Sequence, residues 1–146
     1  MLYRRGDVVL ALFPNADLRT AKRRPVLIVQ ADYLGTGLGQ TITAMITSNL
    51  ARAGHPSRVF VSLATPEGQQ TRLLADSVIM TDNLVTLLEV EIDRKIGIWS
   101  NMAAVDAAIK HTLAIRSTGR TAKYKKKIKF IKSNQSCVKR IRKIRV

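Results

Sequence analysis

Apolar and polar positions along the body of the chain fall into short blocks, and the period changes only near its end. Residues 7–13 (Asp-Val-Val-Leu-Ala-Leu-Phe) form an apolar run rich in β-branched side chains, closed by the turn chemistry of Pro14, Asn15, Ala16 and Asp17. A second run covers residues 25–30 and follows a loop that holds Arg19, Lys22, Arg23 and Arg24. Three glycines, Gly35, Gly37 and Gly39, mark a flexible connection. Thr41 to Thr47 then alternates Ile42, Ala44 and Ile46 against Thr41, Thr43, Met45 and Thr47, the period of two that a half-buried strand requires. Gly54-His55-Pro56-Ser57 breaks the chain before a strand over 58–63, Thr65-Pro66-Glu67-Gly68 forms a turn, and 75–80 is a further short strand. Five strands with short loops and no long helix between them predict a mainly β domain, a small barrel or sandwich. From Asn101 the pattern becomes helical, with Met102, Val105, Ile109 and Leu113 on one stripe and Ser100 or Asn101 as cap. That helix is expected to run to about Ile115 and to lie on the sheet, with His111 opposite the stripe.

Composition narrows the class. A chain of 146 residues with 46% hydrophobic content suits one domain with a real core. No apolar run reaches the ~18 residues of a membrane span, and Met1 to Arg5 has no signal-peptide core behind it, so a soluble cytoplasmic protein without membrane contact is expected. One cysteine, Cys137, excludes an internal disulfide framework, and with only His55 and His111 besides, neither a metal site nor a cofactor is expected. The net charge of +15 changes meaning once it is divided. Residues 1–115 hold 12 Lys/Arg and all 10 Asp/Glu, whereas residues 116–146 hold 13 Lys/Arg and no acid. The body is close to neutral and the basicity is appended to it. The chain therefore divides into a globular body, 1–115, and a basic tail, 116–146, read as disordered until it binds or as an extension.

Candidate chemistry lies at the strand ends. Arg24 sits at the mouth of the strand 25–30, held extended by Pro25, and its guanidinium can grip phosphate oxygens as a fork. Thr47 places a hydroxyl at the end of the strand 41–47, with Ser48 one step on, and Lys22 and Arg23 add charge nearby. The pairing suits a phosphate-handling site. On composition alone, Arg24 is a solvated loop charge and Thr47 ordinary strand chemistry, and the chain is a small β domain able to bind RNA. Asp82 either orients Arg24, contacts a base, or is a turn residue beside Asn83. His55 has the chemistry of a general base but lies in a loop beside Pro56. The stretch from Glu89 to Arg94 reads as a solvated surface, and Trp99 as the anchor of the helix.

Four segments in order give these residues a context. Arg5-Gly6-Asp7-Val8-Val9, Arg24-Pro25-Val26-Leu27-Ile28-Val29, Ala44-Met45-Ile46-Thr47-Ser48 and Asp76-Ser77-Val78-Ile79 together resemble the MazF/PemK family of toxin endoribonucleases, over about residues 3–114. The resemblance implies an SH3-like barrel with a C-terminal helix, working as a homodimer with single-stranded RNA across the interface and blocked by a cognate antitoxin. It implies Arg24 and Thr47 as the catalytic pair of a metal-independent, sequence-selective endoribonuclease. Ser48, Arg23, Lys22, Asp82 and His55 would serve on the substrate side, and the loop 14–23 would be a mobile flank. One departure stands out: where relatives nearest PemK carry a basic residue two positions before the aspartate, this chain has Met80 before Asp82. Two other functions fit the same pattern, a CcdB-like toxin that poisons gyrase by contact and a general RNA-binding protein that works through its tail.

Overall fold

The computed structural model describes residues 2–116, so the basic tail lies almost wholly outside the described residues. The chain divides into two units, Met1–Ala114 and Ile115–Val146. The first holds six strands, β1 (Asp7–Pro14), β2 (Ala21–Ile28), β3 (Gln40–Thr47), β4 (Arg58–Val61), β5 (Ser77–Leu88) and β6 (Ile92–Ile98), with a one-turn helix α1 (Pro66–Gln70) and a longer α2 (Met102–Thr112). They form one sheet in the order β4-β5-β3-β2-β1-β6, and each neighbouring pair is antiparallel. The mainly β fold with a C-terminal helix is as expected. Among the described residues no ladder joins β4 to β6, so the sheet remains open where a closed barrel was expected.

Alternation sorts the core onto two faces. Val8, Leu27, Ala44, Ile46, Val61 and Ile79 face α2 and pack with Trp99, Val105 and Ala108. Val9, Ala11, Phe13, Val26, Ile28, Leu87 and Ile92 form a second cluster. Trp99 is buried and its indole N–H donates to the Asn101 carbonyl at 2.9 Å, which gives it the anchoring role and no solvent face. Asn101 caps α2, its side chain accepting from the Ala104 N–H at 3.3 Å.

The opening motif Arg5-Gly6-Asp7 ties these layers together. Arg5 donates to the Val29 carbonyl at 2.9 Å and pairs with Asp106 on α2. Asp7, though buried, takes Lys95 of β6 at 2.8 Å and the Arg4 N–H at 2.9 Å. Gly6, at φ +92, lets its carbonyl meet the Trp99 N–H at 2.8 Å.

Three elements differ from the sequence pattern. β2 begins at Ala21, so Lys22, Arg23 and Arg24 pair with Phe13, Leu12 and Ala11, and the flanking loop shrinks to residues 15–20. β5 continues to Leu88 through a bulge: Met45 pairs with Met80 but Ala44 with Leu84, which leaves Thr81, Asp82 and Asn83 without partners on β3. β6 occupies the charged stretch expected as solvated surface. No helix among the described residues is long and apolar enough to cross a membrane.

Candidate active site at the mouth of β2 and β3

β2 and β3 pair through Val26–Met45, Leu27–Ala44 and Ile28–Thr43. The same register carried two residues further sets Arg24 opposite Thr47, on the face that also carries Val26 and Met45. The ladder stops before that pair, so the strand mouths open and free their side chains. Arg24 and Thr47 are both half-buried. Two concavities meet at them. One, of about 390 Å³, is lined by Lys22, Arg23, Arg24, Thr47, Ser48 and Arg72 over an apolar floor that includes Pro25, Ile46 and Ile96. The other, of about 490 Å³, is lined by Asn15, Arg24, Thr47, Asn49, Arg52 and Asn83, with Phe13, Met45 and Met80 as apolar walls. Arg24 and Thr47 form the divide.

Local hydrogen bonds orient both groups. Arg24 Nη2 donates to Asn15 Oδ1 at 3.2 Å, and no carboxylate pairs with it among the described residues. Most of its five N–H donors remain for a ligand. Asn15 belongs to a turn held by Asp17, whose carboxylate accepts the N–H groups of Arg19 and Thr20 at 3.0 and 3.1 Å and the Thr20 hydroxyl. The Thr20 backbone N–H leads the contacts that hold the Asp17 carboxyl below the usual carboxylate range. Short-range bonds hold the turn that flanks Arg24. Thr47 Oγ1 accepts the Asn49 N–H at 3.2 Å, which occupies a lone pair and leaves the hydroxyl proton to donate.

Of the sequence candidates, Arg24, Thr47, Ser48, Arg23 and Lys22 come together in one lining. Arg23 also reaches Asp93 at 3.7 Å. Asp82 and His55 line neither concavity. Asp82 lies on the β5 bulge and pairs with Arg58 at 2.9 Å; that hydrogen bond holds its carboxyl below the ordinary value and the Arg58 guanidinium above its own. His55 packs edge-on against His111, ring centroids 5.9 Å apart. Its Nδ1 accepts the Ser57 N–H at 3.1 Å and faces Ser57 Oγ at 2.6 Å, so the neutral ring carries its proton on Nε2. Arg72, Arg52 and Asn49 reach the concavities without any local signal in the sequence. Among the described residues no group of three His, Cys, Asp or Glu could hold a metal ion.

Comparison with known proteins gives the family of the chain. The profile of the PemK-like, MazF-like toxin of type II toxin–antitoxin systems matches residues 4–113. The chain is 38% identical over 99 residues to endoribonuclease MazF6 of Mycobacterium tuberculosis and to endoribonuclease MazF2 of Mycobacterium bovis, spanning 66% of this chain and 82% of each relative. The solved Mycobacterium tuberculosis toxin MazF-mt6 superposes with a TM-score of 0.60 at 25% identity, covering 76% of this chain and 99% of that one. A mycobacterial endoribonuclease in complex with its cognate antitoxin superposes at 0.61 with 19% identity, over 79% of this chain and 98% of that one, which is a likeness of fold. The chain belongs to the PemK-like, MazF-like toxin family of type II toxin–antitoxin systems.

Proposed function

We propose that Arg24 and Thr47 carry the cutting chemistry of this toxin endoribonuclease. The observation behind this is their placement opposite each other at the strand mouths, where they line both concavities. Single-stranded RNA crosses the divide with the scissile phosphate between them. The ribose 2′-OH attacks the adjacent phosphorus, the bond from phosphorus to the 5′-oxygen breaks, and a 2′,3′-cyclic phosphate and a 5′-hydroxyl result. Negative charge grows on the non-bridging oxygens as the new bond forms. The Arg24 fork and the Thr47 hydroxyl meet it there as prepositioned donors. The chemistry needs no metal.

The toxin works as a homodimer in the cytoplasm, with RNA across the two copies and a cognate antitoxin covering the groove. Solved MazE–MazF complexes of Deinococcus radiodurans, alike in fold, support an antitoxin partner. A gyrase poison acting by contact has no use for a guanidinium paired with a hydroxyl, so the site favours the nuclease. A general RNA binder acting through residues 116–146 would lose its RNA contact when they are deleted, whereas the nuclease keeps cutting.

The test is incubation of purified protein with a mixed RNA, with and without EDTA, followed by mapping of cut ends. Cuts at a recurring sequence, with cyclic phosphate ends and undiminished in EDTA, are expected. Random nicking, 3′-hydroxyl ends or loss of cutting in EDTA would overturn the mechanism.

A further inference from the structure

The concavity that holds Lys22, Arg23 and Arg24 has a fourth cation, Arg72, and no Asp or Glu lines it. Among the described residues the Arg72 guanidinium makes no ion pair. Its backbone is unusual. α1 ends at Thr71, and Arg72 follows with φ +57, the left-handed conformation in which helices commonly end on glycine because a Cβ crowds the neighbouring carbonyl. The turn is also fixed in place. The Thr71 hydroxyl donates to the Gly68 carbonyl at 2.5 Å, and the Arg72 N–H donates to that of Gln69 at 3.2 Å. The Thr71 carbonyl lies so close to β6 that a Cβ on Gly97 would stand 2.3 Å from it. Glycine is the relaxed residue at such a position, yet the chain keeps a long cation there, beside a basic concavity. Strain held by surrounding contacts at a ligand-facing position points to use.

We infer that Arg72 is a substrate-binding residue that grips a backbone phosphate of the RNA next to the scissile one. This rests on the assignment of Arg24 and Thr47 as the cutting pair. A strand crossing that pair continues into both concavities, and they differ in chemistry. The one with Asn15, Asn49 and Asn83 offers amides between apolar walls. The one with Arg72 offers further cations and the Ser48 hydroxyl, all of which can donate to an anion. A nucleotide strand brings one phosphate per residue, and a planar guanidinium matches two of its oxygens. An acidic peptide would match the charge but not the continuity with Arg24 and Thr47.

The experiment uses the full chain, with Arg72→Ala, Arg72→Lys and Arg72→Gly. Arg72→Gly relaxes the turn and keeps the test open if Arg72→Ala folds poorly. Substrates are RNA oligonucleotides spanning a mapped cut, extended by one to several nucleotides on the 5′ or the 3′ side. Arg72→Ala and Arg72→Gly should raise KM about 10-fold for oligonucleotides extended on one side, with kcat unchanged. The shortest substrate should be cut equally by all forms. The log–log salt slope of RNA binding should shrink by about 0.7 in the neutral variants and be kept by Arg72→Lys. Arg72→Gly should melt higher than the parent while binding more weakly. Unchanged KM and salt slope in Arg72→Gly would overturn the inference, as would an effect confined to a poly-glutamate peptide. If the parent cuts no RNA, the assignment of the cutting pair falls, and the salt slope alone then decides the role of Arg72.

Discussion

Replacing Arg24 by alanine separates what the side chain does for the fold from what it does for the reaction. Among the described residues its one side-chain bond is that to Asn15 at 3.2 Å, and it lies half-buried at a strand mouth outside both core clusters. Losing one partly exposed hydrogen bond costs about 0.5–1.5 kcal/mol of stability. On the proposed mechanism the guanidinium faces extra charge in the transition state that is absent from the ground state. Removing such a donor lowers kcat about 10²–10³-fold, or about 2.7–4 kcal/mol. The catalytic loss should therefore exceed the folding loss severalfold. Single-turnover cleavage of an oligonucleotide with one mapped site gives the first quantity, and urea denaturation gives the second. Arg24→Lys keeps the charge but not the fork and should fall between parent and Arg24→Ala. Cutting by Arg24→Ala within about threefold of the parent would refute the assignment.

Thr47→Val removes the hydroxyl at nearly constant shape, and kcat should drop about 10-fold or more with the melting temperature kept, read by the same cleavage assay. Gly97→Ala places a Cβ 2.3 Å from the Thr71 carbonyl, a backbone atom that cannot swing aside, and urea denaturation should show a loss of about 1–3 kcal/mol. Asp82→Asn breaks the pair with Arg58. Because Arg58 holds the folded carboxyl below its ordinary value of 3.8, the pair contributes above about pH 4 and is lost as pH falls through the folded value. The variant should thus melt lower than the parent at pH 7 and together with it once the pH is below the folded value. His55→Ala should leave kcat/KM unaltered in the cleavage assay; a loss of about 100-fold would make His55 the base.

How much of this was legible depended on where the deciding contact lay. β1, β3 and α2 follow from near-neighbour patterns, an apolar β-branched run, an alternation and a 3.6 period, although β1 is buried on both faces and Ile42 of β3 is exposed. β6 was hidden because Asp93, Arg94 and Lys95 look like a solvated run. Lys95 and Asp93 find their opposite charges, Asp7 and Arg23, on other strands, and no sequence window contains those pairs. The start of β2 was hidden by three consecutive cations that β1 holds extended. At Thr81, Asp82 and Asn83 turn chemistry was real, but the chain used it for a bulge inside β5. The site divides in the same way. As candidates, Arg24 and Thr47 stand out in the sequence because each lies beside an apolar run with a fixed register, whereas the position of Arg72 depends on the packing of α1 against Gly97.

The linings also restrict how the reaction is accelerated. Among the described residues neither concavity contains a carboxylate, an imidazole or a thiol, so around Arg24 and Thr47 the charged side chains are all cations. Arg24 cannot act as the base at any relevant pH. His55 has committed its Nδ1 lone pair to Ser57, and Asp82 is held charged by Arg58 outside either lining. Proton removal from the 2′-OH is therefore not what these side chains are arranged to do. On the proposed mechanism they position the strand and oppose charge on the phosphoryl oxygens, and those two effects grow with the number of fixed donors. On the proposed mechanism the substrate must be held firmly, and the bonded turn at residues 15–20 keeps Asn15 beside Arg24.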